Sequence, residues 1–303
     1  MNALVGYTGF VGSNLYEAGS FKTVYNSKNI QEAFGTSPGL LVYAGLRAEK
    51  YLANNEPEKD MGLIMEAEEN IRKINPKKLV LISTIDVFKT PSGVDERTLI
   101  NPDGLHAYGY NRYQLELWVR ENYSDALIIR LPGLFGKNIK KNFIYDFVNI
   151  IPVMLKEAKF EELAEKEPEL KNFYQIQDNG FYKVNFCNAD KEKLKKMFIH
   201  LGFSALNFTD SRSRYQFYNL AHLWDDMNTA LDAGIKLWHP ATEPVSVGEL
   251  YRSITGKEFI NELNGVPANY NFRTIHDGLF GGNDGYICDK NSVMSDIRKF
   301  VER

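Results

Sequence analysis

Cysteine is nearly missing from this chain: Cys187 and Cys288 are the only two in 303 residues. Two thiols build no disulfide framework, and no metal-ligand spacing surrounds either one. Both read as buried thiols of a reducing compartment, and no bound metal is expected. No apolar run is long enough to span a bilayer, and no basic, signal-like segment stands at the start. A cytoplasmic protein without a membrane partner is the expectation. An excess of charge of one sign is also missing. The formal net charge is −3, so no polyanion-binding face is implied and nucleic acid is not an expected partner. Neither an internal repeat nor a low-complexity linker interrupts the chain.

What is there is a globular composition. With 44% apolar and 25% charged residues, the chain has material for a substantial core in one large domain or two modest ones. Over the first half, short apolar runs alternate with helical patterns. Strands are expected at 3–5, 23–25, 39–44, 78–83 and 126–131, and helices at 12–18, 61–74 and 108–122. Leu79-Val80-Leu81-Ile82 is apolar without alternation, as when helices cover both faces of a sheet. Repeated strand–helix alternation implies an α/β fold with a Rossmann-type, doubly wound parallel sheet. Beyond Gly136 the pattern changes. A helix is expected over 142–155, a solvated Lys- and Glu-rich face over 156–171, and a strand over 217–220. Further helices are expected at 190–201, 223–234 and 291–301, with a capping box at Ser246 and Glu249.

The first strand runs into Gly6-Tyr7-Thr8-Gly9-Phe10-Val11-Gly12. Three glycines at three-residue spacing let backbone N–H groups approach a pyrophosphate and aim a helix N-terminus at it. Glycine triplets also serve ordinary tight turns, so the chemistry has to come from elsewhere. A later strand ends in Ser83-Thr84-Ile85-Asp86. A hydroxyl at that end faces the crevice where doubly wound sheets bind ligands. Tyr108 and Arg112 are four residues apart and share one helix face. A cation beside a phenol lowers its pKa, and such a phenol passes a proton to or from an alcohol oxygen. Tyr110 and Tyr113 point away from that face and read as packing residues.

These landmarks, in this order, resemble the extended short-chain dehydrogenase/reductases, the family of nucleotide-sugar epimerases, dehydratases and keto-reductases. Arg130-Leu131-Pro132 with Phe135-Gly136, and the segment 214–231, are similar to later landmarks of that family. The resemblance covers most of the chain and is strongest up to Gly136. It implies that Thr84 hydrogen-bonds the reacting oxygen and that Tyr108 is the acid/base. Arg112 stands where the family has a lysine that holds the nicotinamide ribose and lowers the tyrosine pKa. Arginine keeps the charge and forks onto two hydroxyls, but it does not join a proton relay by deprotonating. Family dehydratases place Asp-Glu after the hydroxyl residue; Ile85-Asp86 stands here, which disfavours dehydration. Asp86 is either a supplementary acid near the substrate or a turn carboxylate.

The resemblance also implies a cofactor cradle of Gly6, Thr8, Gly9, Phe10, Val11, Gly12, Ala44, Gly45, Tyr108, Arg112 and Leu131. Asn26-Ser27-Lys28 follow the second strand without the acid that binds the NAD ribose. Lys28 suits a 2′-phosphate, which favours NADP, and NAD stays open. His106, Asn142 and Arg214 are candidate substrate contacts, Arg214 because a guanidinium forks onto phosphate oxygens. A helix-start Asn and a surface Arg are the structural alternatives. His276 and Arg47 read as a structural histidine and a solvated loop arginine.

The expected division is a nucleotide-binding domain of residues 1–140 plus roughly 205–245. A smaller, mostly C-terminal substrate-binding part would hold 141–204 and 246–303. The expected function is NAD(P)-dependent reduction of a nucleotide-linked keto-sugar by hydride transfer, with Tyr108 as proton donor. The alternatives are a nucleotide-sugar epimerase, a lipid- or steroid-modifying dehydrogenase, and a dinucleotide sensor without turnover. Family members often pair through the tyrosine-bearing helix, so Tyr113, Leu117 and Trp118 serve either a homodimer or the core.

Overall fold

The computed structural model describes residues 1–186 and 190–302. Cys187 lies outside the described residues. β1 (Asn2–Val5) runs into α1 (Phe10–Ala18), followed by β2 (Thr23–Tyr25), β3 (Leu40–Tyr43), α2 (Lys50–Asn55), α3 (Pro57–Ile74) and β4 (Leu79–Thr84). Then come α4 (Ala107–Asn122), β5 (Leu127–Leu131), β6 (Gly133–Phe135), α5 (Phe143–Asn149), β7 (Met154–Lys156) and α6 (Glu157–Lys166). They are followed by β8 (Tyr174–Ile176), β9 (Phe181–Val184), α7 (Lys191–His200), β10 (Arg214–Tyr215), β11 (Phe217–Asn219), α8 (Leu223–Asp232) and β12 (Leu237–Trp238). The last elements are β13 (Val245–Ser246), α9 (Val247–Thr255) and α10 (Lys290–Val301).

Six strands form one sheet in the order β12-β5-β4-β3-β1-β2, each neighbouring pair parallel. The chain starts at β1, moves outward to β2, and returns to place β3 on the other side of β1. That reversal leaves a crevice beyond the carboxyl ends of β1 and β3. Side chains alternate across the sheet, and both faces are apolar. Ala3, Val5, Leu41, Leu79 and Leu81 pack with Ile64, Ile71, Leu115 and Val119 of α3 and α4. Leu4, Val42, Val80, Leu127 and Ile129 pack with Leu15, Leu223 and Met227 of α1 and α8. Each fully buried aliphatic side chain contributes about 1.5–3 kcal/mol, so the continuous apolar runs are the stabilisation of a two-faced sheet.

The chain divides into two compact units: 1–139, 214–245 and 268–303 form one, and 140–213 with 246–267 the other. Residues 268–303, expected in the substrate part, are thus built into the first unit. Backbone bonds fasten them there: Asn271 N–H donates to Pro91 O at 2.9 Å, Arg273 to Val94 O at 2.8 Å and Ile287 to Ala241 O at 2.8 Å. Sequence distance hides such pairing, because nothing local in 268–273 announces a partner near residue 92.

In the second unit the helix expected over 142–155 ends at Asn149, where Ile150 turns to φ +63°. Met154-Leu155-Lys156 instead pair with Phe181-Tyr182-Lys183 in a small antiparallel sheet of order β7-β9-β8. Leu155 gains a core of Phe160, Leu163, Tyr174, Leu194 and Phe198, and this burial overrides the local helical pattern. At Ser246 the expected capping box is present: Ser246 Oγ accepts from Glu249 N at 3.2 Å, and Glu249 Oε2 accepts from Ser246 N at 3.0 Å. On α4, Tyr113 and Trp118 pack against buried clusters of their own chain, whereas Leu117 is exposed. Among the described residues, no helix is long and apolar enough to cross a membrane. None of their His, Cys, Asp and Glu side chains form a group of three or more placed to hold a metal ion.

Candidate active site

The glycine turn closes over the crevice between β1 and β3. Gly6 has φ +91°, and a Cβ there would lie 2.4 Å from Ala44 O. A Cβ on Gly12 would lie 2.0 Å from Gly6 O. Gly9 N–H donates to Gly6 O at 2.9 Å and closes the turn that holds Tyr7 and Thr8. Gly9 caps α1 without any side-chain hydrogen bond, so Phe10, Val11 and Gly12 open the helix at its partially positive end without a side-chain acceptor. Gly12→Ala is expected to cost about 1–3 kcal/mol by overpacking, read as a lower urea midpoint at unchanged slope. Ala44 and Gly45 form the opposite wall, with Ala44 N bonded to Val5 O at 2.9 Å. Asn26 and Asn29 fold the loop after β2: Asn29 Oδ1 accepts from Asn26 N at 2.8 Å, and Asn26 Oδ1 from Lys28 N at 2.9 Å. Ser27 and Lys28 are exposed there.

Thr84 ends β4, and Leu131 is its register partner on β5. The Thr84 hydroxyl accepts from Asp86 N at 3.2 Å, and it lies close enough to Tyr108 to pull the phenol pKa down. The two hydroxyl residues named from the sequence therefore stand near one another, at the crevice end of the central strands. Tyr108 stands in the first turn of α4, 8% exposed. Its N–H donates to Asn54 Oδ1 at 3.0 Å. Gly109 lets the helix approach this closely, since a Cβ there would lie 2.1 Å from Asp86 O. His106 is the N-cap: its Nδ1 accepts from Gly109 N at 2.9 Å. Burial and then Lys50 hold the His106 imidazole below its ordinary pKa, so it stays neutral with the proton on Nε2.

Arg112 is where the structure departs from expectation. It is 3% exposed and pairs with Asp60 of α3, while Nη2 donates to Arg47 O at 2.7 Å. Asn111 Nδ2 also donates to Asp60, at 2.8 Å. The guanidinium carbon sits 4.2 Å from the centroid of the Tyr108 ring, over its face. The expected fall in the Tyr108 pKa becomes a rise. Burial is the largest cause; Arg112 pulls down, and Asp86 and Asp60 push up. A phenol held protonated is a proton donor in waiting, which suits reduction of a carbonyl.

Asp86 is more than a turn carboxylate. Tyr270 donates its hydroxyl to Oδ1 at 3.0 Å, and Lys50 Nζ lies 3.1 Å from Oδ2. Tyr270 is held protonated by burial and by Asp86. Sequence reasoning missed Tyr270 and Lys50, which stand 184 and 36 residues from Asp86 by their numbers and share no motif with it. Of the other substrate candidates, Arg214 is exposed on β10, with its backbone bonded to Ala268 and Tyr270. Asn142 belongs to the second unit and caps α5, accepting from Ile144 N at 3.0 Å and Tyr145 N at 3.2 Å.

A second missed feature lies behind the site. Glu116, two turns after Tyr108 on the same face of α4, is 0% exposed. Ser83 Oγ donates to it at 2.6 Å, and Arg130 of β5 donates through Nε at 3.0 Å and Nη2 at 2.6 Å. Arg130 Nη1 is 3.3 Å from His239 Nε2. The i, i+8 spacing from Tyr108 was the available signal.

No protein-family model and no curated protein sequence matches the chain. Solved structures do. The dTDP-4-dehydrorhamnose reductase from Yersinia enterocolitica superposes with a TM-score of 0.64 at 14% identity, covering 99% of this chain and 98% of that one. The fold is shared. The dTDP-4-dehydrorhamnose reductase from Bacillus anthracis in complex with NADP gives 0.63 at 16% identity, covering 100% and 98%. A UDP-N-acetylglucosamine 4-epimerase from Methanobrevibacter ruminantium, in complex with UDP-N-acetylmuramic acid, gives 0.64 at 12%, covering 99% and 96%. The Rossmann-type reading of the sequence holds for the six-stranded parallel sheet of the first unit.

Proposed function

We propose that this protein is an NADP(H)-dependent reductase of a nucleotide-linked keto-sugar. The observation that carries the reading is the placement of Thr84 at the crevice end of β4 with Tyr108 in the first turn of α4 near it, at the same edge of the sheet as the glycine turn. The residues fit a dinucleotide: Gly6 and Gly12 let the backbone of the turn pack tightly against Ala44 and itself, and the start of α1, without a side-chain cap, favours an anion. When bound, the nicotinamide supplies the hydride. Thr84 orients the substrate carbonyl oxygen, and Tyr108, kept protonated, gives that oxygen its proton. Arg112 enters through the ring of Tyr108, which its guanidinium supports from one face. Asp86 and His106 line the same end of the sheet, where a sugar hydroxyl would find a carboxylate and an imidazole N–H. Arg214, exposed on β10, remains a candidate for the diphosphate, and pairing of α4 between two copies remains the candidate oligomer.

Similar structures support both the cofactor and the substrate class: one is described in complex with NADP, another with NADPH, and several are reductases of dTDP-linked keto-sugars. Epimerases of UDP-sugars share the fold too; epimerisation would interconvert two nucleotide sugars without net consumption of cofactor. Titration calorimetry with NADP(H) and NAD(H) tests the cofactor. Tighter binding of NADP(H) is expected, and Lys28→Asp should weaken it about tenfold, or ~1.4 kcal/mol. No binding of either dinucleotide at millimolar concentration would refute the reading. Oxidation of NADPH on adding dTDP- or UDP-linked 4-keto-sugars tests the reaction.

A further inference from the structure

The phenol of Tyr108 rides on the first turn of α4, and the N–H groups of a first turn have no carbonyl inside the helix to reach. The first backbone bond at this end runs from Tyr110 N to His106 O at 3.0 Å. Ala107, Tyr108 and Gly109 precede the point where the ladder takes over. His106 Nδ1 takes the Gly109 N–H. The Tyr108 N–H goes instead to Asn54 Oδ1 at 3.0 Å, 54 positions back in the chain and on the last turn of α2. Asn54 and Lys50 are four apart and share one face of α2. Lys50 Nζ lies 3.1 Å from Asp86 Oδ2, so this face meets the site at two points, the Asp86 carboxylate and the Tyr108 backbone. The ring of Tyr108 is held separately, by the Arg112 guanidinium that Asp60 and Arg47 O fix in place. Asp60 and Arg112 are buried, whereas Asn54 is exposed. A second asparagine joins the same elements without touching Tyr108. Asn111 Nδ2 donates to Pro57 O at 3.1 Å and to Asp60 Oδ2 at 2.8 Å, and Asn111 is buried.

We propose that Asn54 is a positioning residue for Tyr108: it closes the first turn of α4 from α2, and so keeps the phenol at the crevice end of β4. Its effect on turnover rests on the reductase reading, and its effect on the ring rests on the geometry alone. The first turn is closely seated, since a Cβ on Gly109 would lie 2.1 Å from Asp86 O. A Tyr108 amide without its acceptor lets the turn lift from that seat. Water replaces the exposed Asn54 as an acceptor at little cost in stability, but it does not tie the turn to α2. Proton transfer tolerates little of such movement, because a misplacement of about 1 Å costs on the order of 10²-fold in rate. Loss of Asn54 therefore acts on rate far more than on fold.

The test uses the full chain and three readouts. Urea unfolding and the carbon-13 resonance of Tyr108 Cζ, assigned by its loss in Tyr108→Phe, are measured without cofactor. NADPH oxidation on a dTDP-linked 4-keto-sugar gives kcat and KM. Asn54→Ala is expected to keep the urea midpoint near that of wild type, to move the Tyr108 resonance, and to lower kcat on the order of tenfold. KM and the NADPH dissociation constant should stay within about twofold. Asn54→Asp keeps an acceptor for the Tyr108 N–H and should restore both the resonance and kcat. Asn111→Ala cuts two bonds between the same elements and none at Tyr108. It should lower the urea midpoint more than Asn54→Ala does, and yet slow kcat less. An unmoved resonance with wild-type kcat in Asn54→Ala overturns the proposal, as does an equal loss of kcat in Asn54→Asp. A loss of kcat that follows the urea midpoint across Asn54→Ala and Asn111→Ala also overturns it, because Asn54 would then only dock two helices. If the wild-type protein oxidises no NADPH, the resonance decides alone. A shift in Asn54→Ala that Asn54→Asp reverses would leave the positioning role standing and remove the reductase reading; an unmoved resonance would remove the positioning role.

Discussion

Tyr108→Phe is expected to lower turnover by about 10²–10⁴-fold and to leave the fold in place. The substitution deletes one hydroxyl and nothing else of the residue's surroundings. The backbone N–H keeps its bond to Asn54 Oδ1. A phenylalanine ring still lies under the Arg112 guanidinium. Only the hydroxyl is lost, a stability change of about 1 kcal/mol. With Tyr108 as the proposed proton donor, the deficit should fall on kcat rather than on the NADPH dissociation constant. Stopped-flow oxidation of NADPH beside calorimetric binding separates the two. A variant that keeps turnover within a few-fold of wild type would show that Tyr108 is not the acid. Thr84→Val should follow the same pattern more mildly, because it removes one oriented hydroxyl rather than the transferred proton.

Arg130→Met is expected to cost about 3–5 kcal/mol of stability. It would leave Glu116, with no exposed surface, holding a charge answered only by the Ser83 hydroxyl at 2.6 Å and by the peripheral Arg120 at 3.5 Å. Urea unfolding gives the value. A loss under about 1 kcal/mol would mean that water or a proton reaches Glu116 and that the ion pair is not needed. The double variant Glu116→Met with Arg130→Met should recover much of the loss, since an apolar pair of similar volume avoids the desolvation of both ions. His239 adds a pH signature. Burial, then the Arg130 charge, hold its pKa down from 6.5 to about 3. The unfolded chain therefore takes up this proton first, and stability falls as pH drops from 6.5 toward 3. Without the Arg130 charge, His239 is less depressed and the acid-side slope should be shallower in Arg130→Met. The cluster stands one residue from Thr84 on β4 and two turns from Tyr108 on α4, so it ties the strand and the helix that carry these two residues to one another through the core.

How much of the site could be read in advance follows from the range of the interactions. Gly6, Gly9 and Gly12 announce themselves because a tight strand–helix turn requires the missing Cβ, and the structure leaves 2.4 Å and 2.0 Å where Cβ atoms would stand at Gly6 and Gly12. Tyr108 and Arg112 share a face by helical spacing alone. What the Arg112 charge does was not local: Asp60 lies on another helix, 52 positions away, and burial of the phenol outweighs the cation beside it. The helix expected over 142–155 failed for a similar reason. Its second half is more useful to the small sheet, where Leu155 enters a core assembled from residues 151–203, than to a local helical ladder.

By itself, the sequence determined the elements whose signals are short-ranged: apolar runs that need two covering layers, glycines that need space, caps that need a neighbour three residues on, and a hydroxyl and a tyrosine set at the ends of a strand and a helix. The tertiary structure alone decided the electrostatics. It paired Arg112 with Asp60, buried Glu116 under Arg130, and carried Tyr270 across 184 positions to Asp86. Charges act through space and through the dielectric that packing creates, and neither the separation nor the burial of two groups is written in the stretch of chain that holds either one.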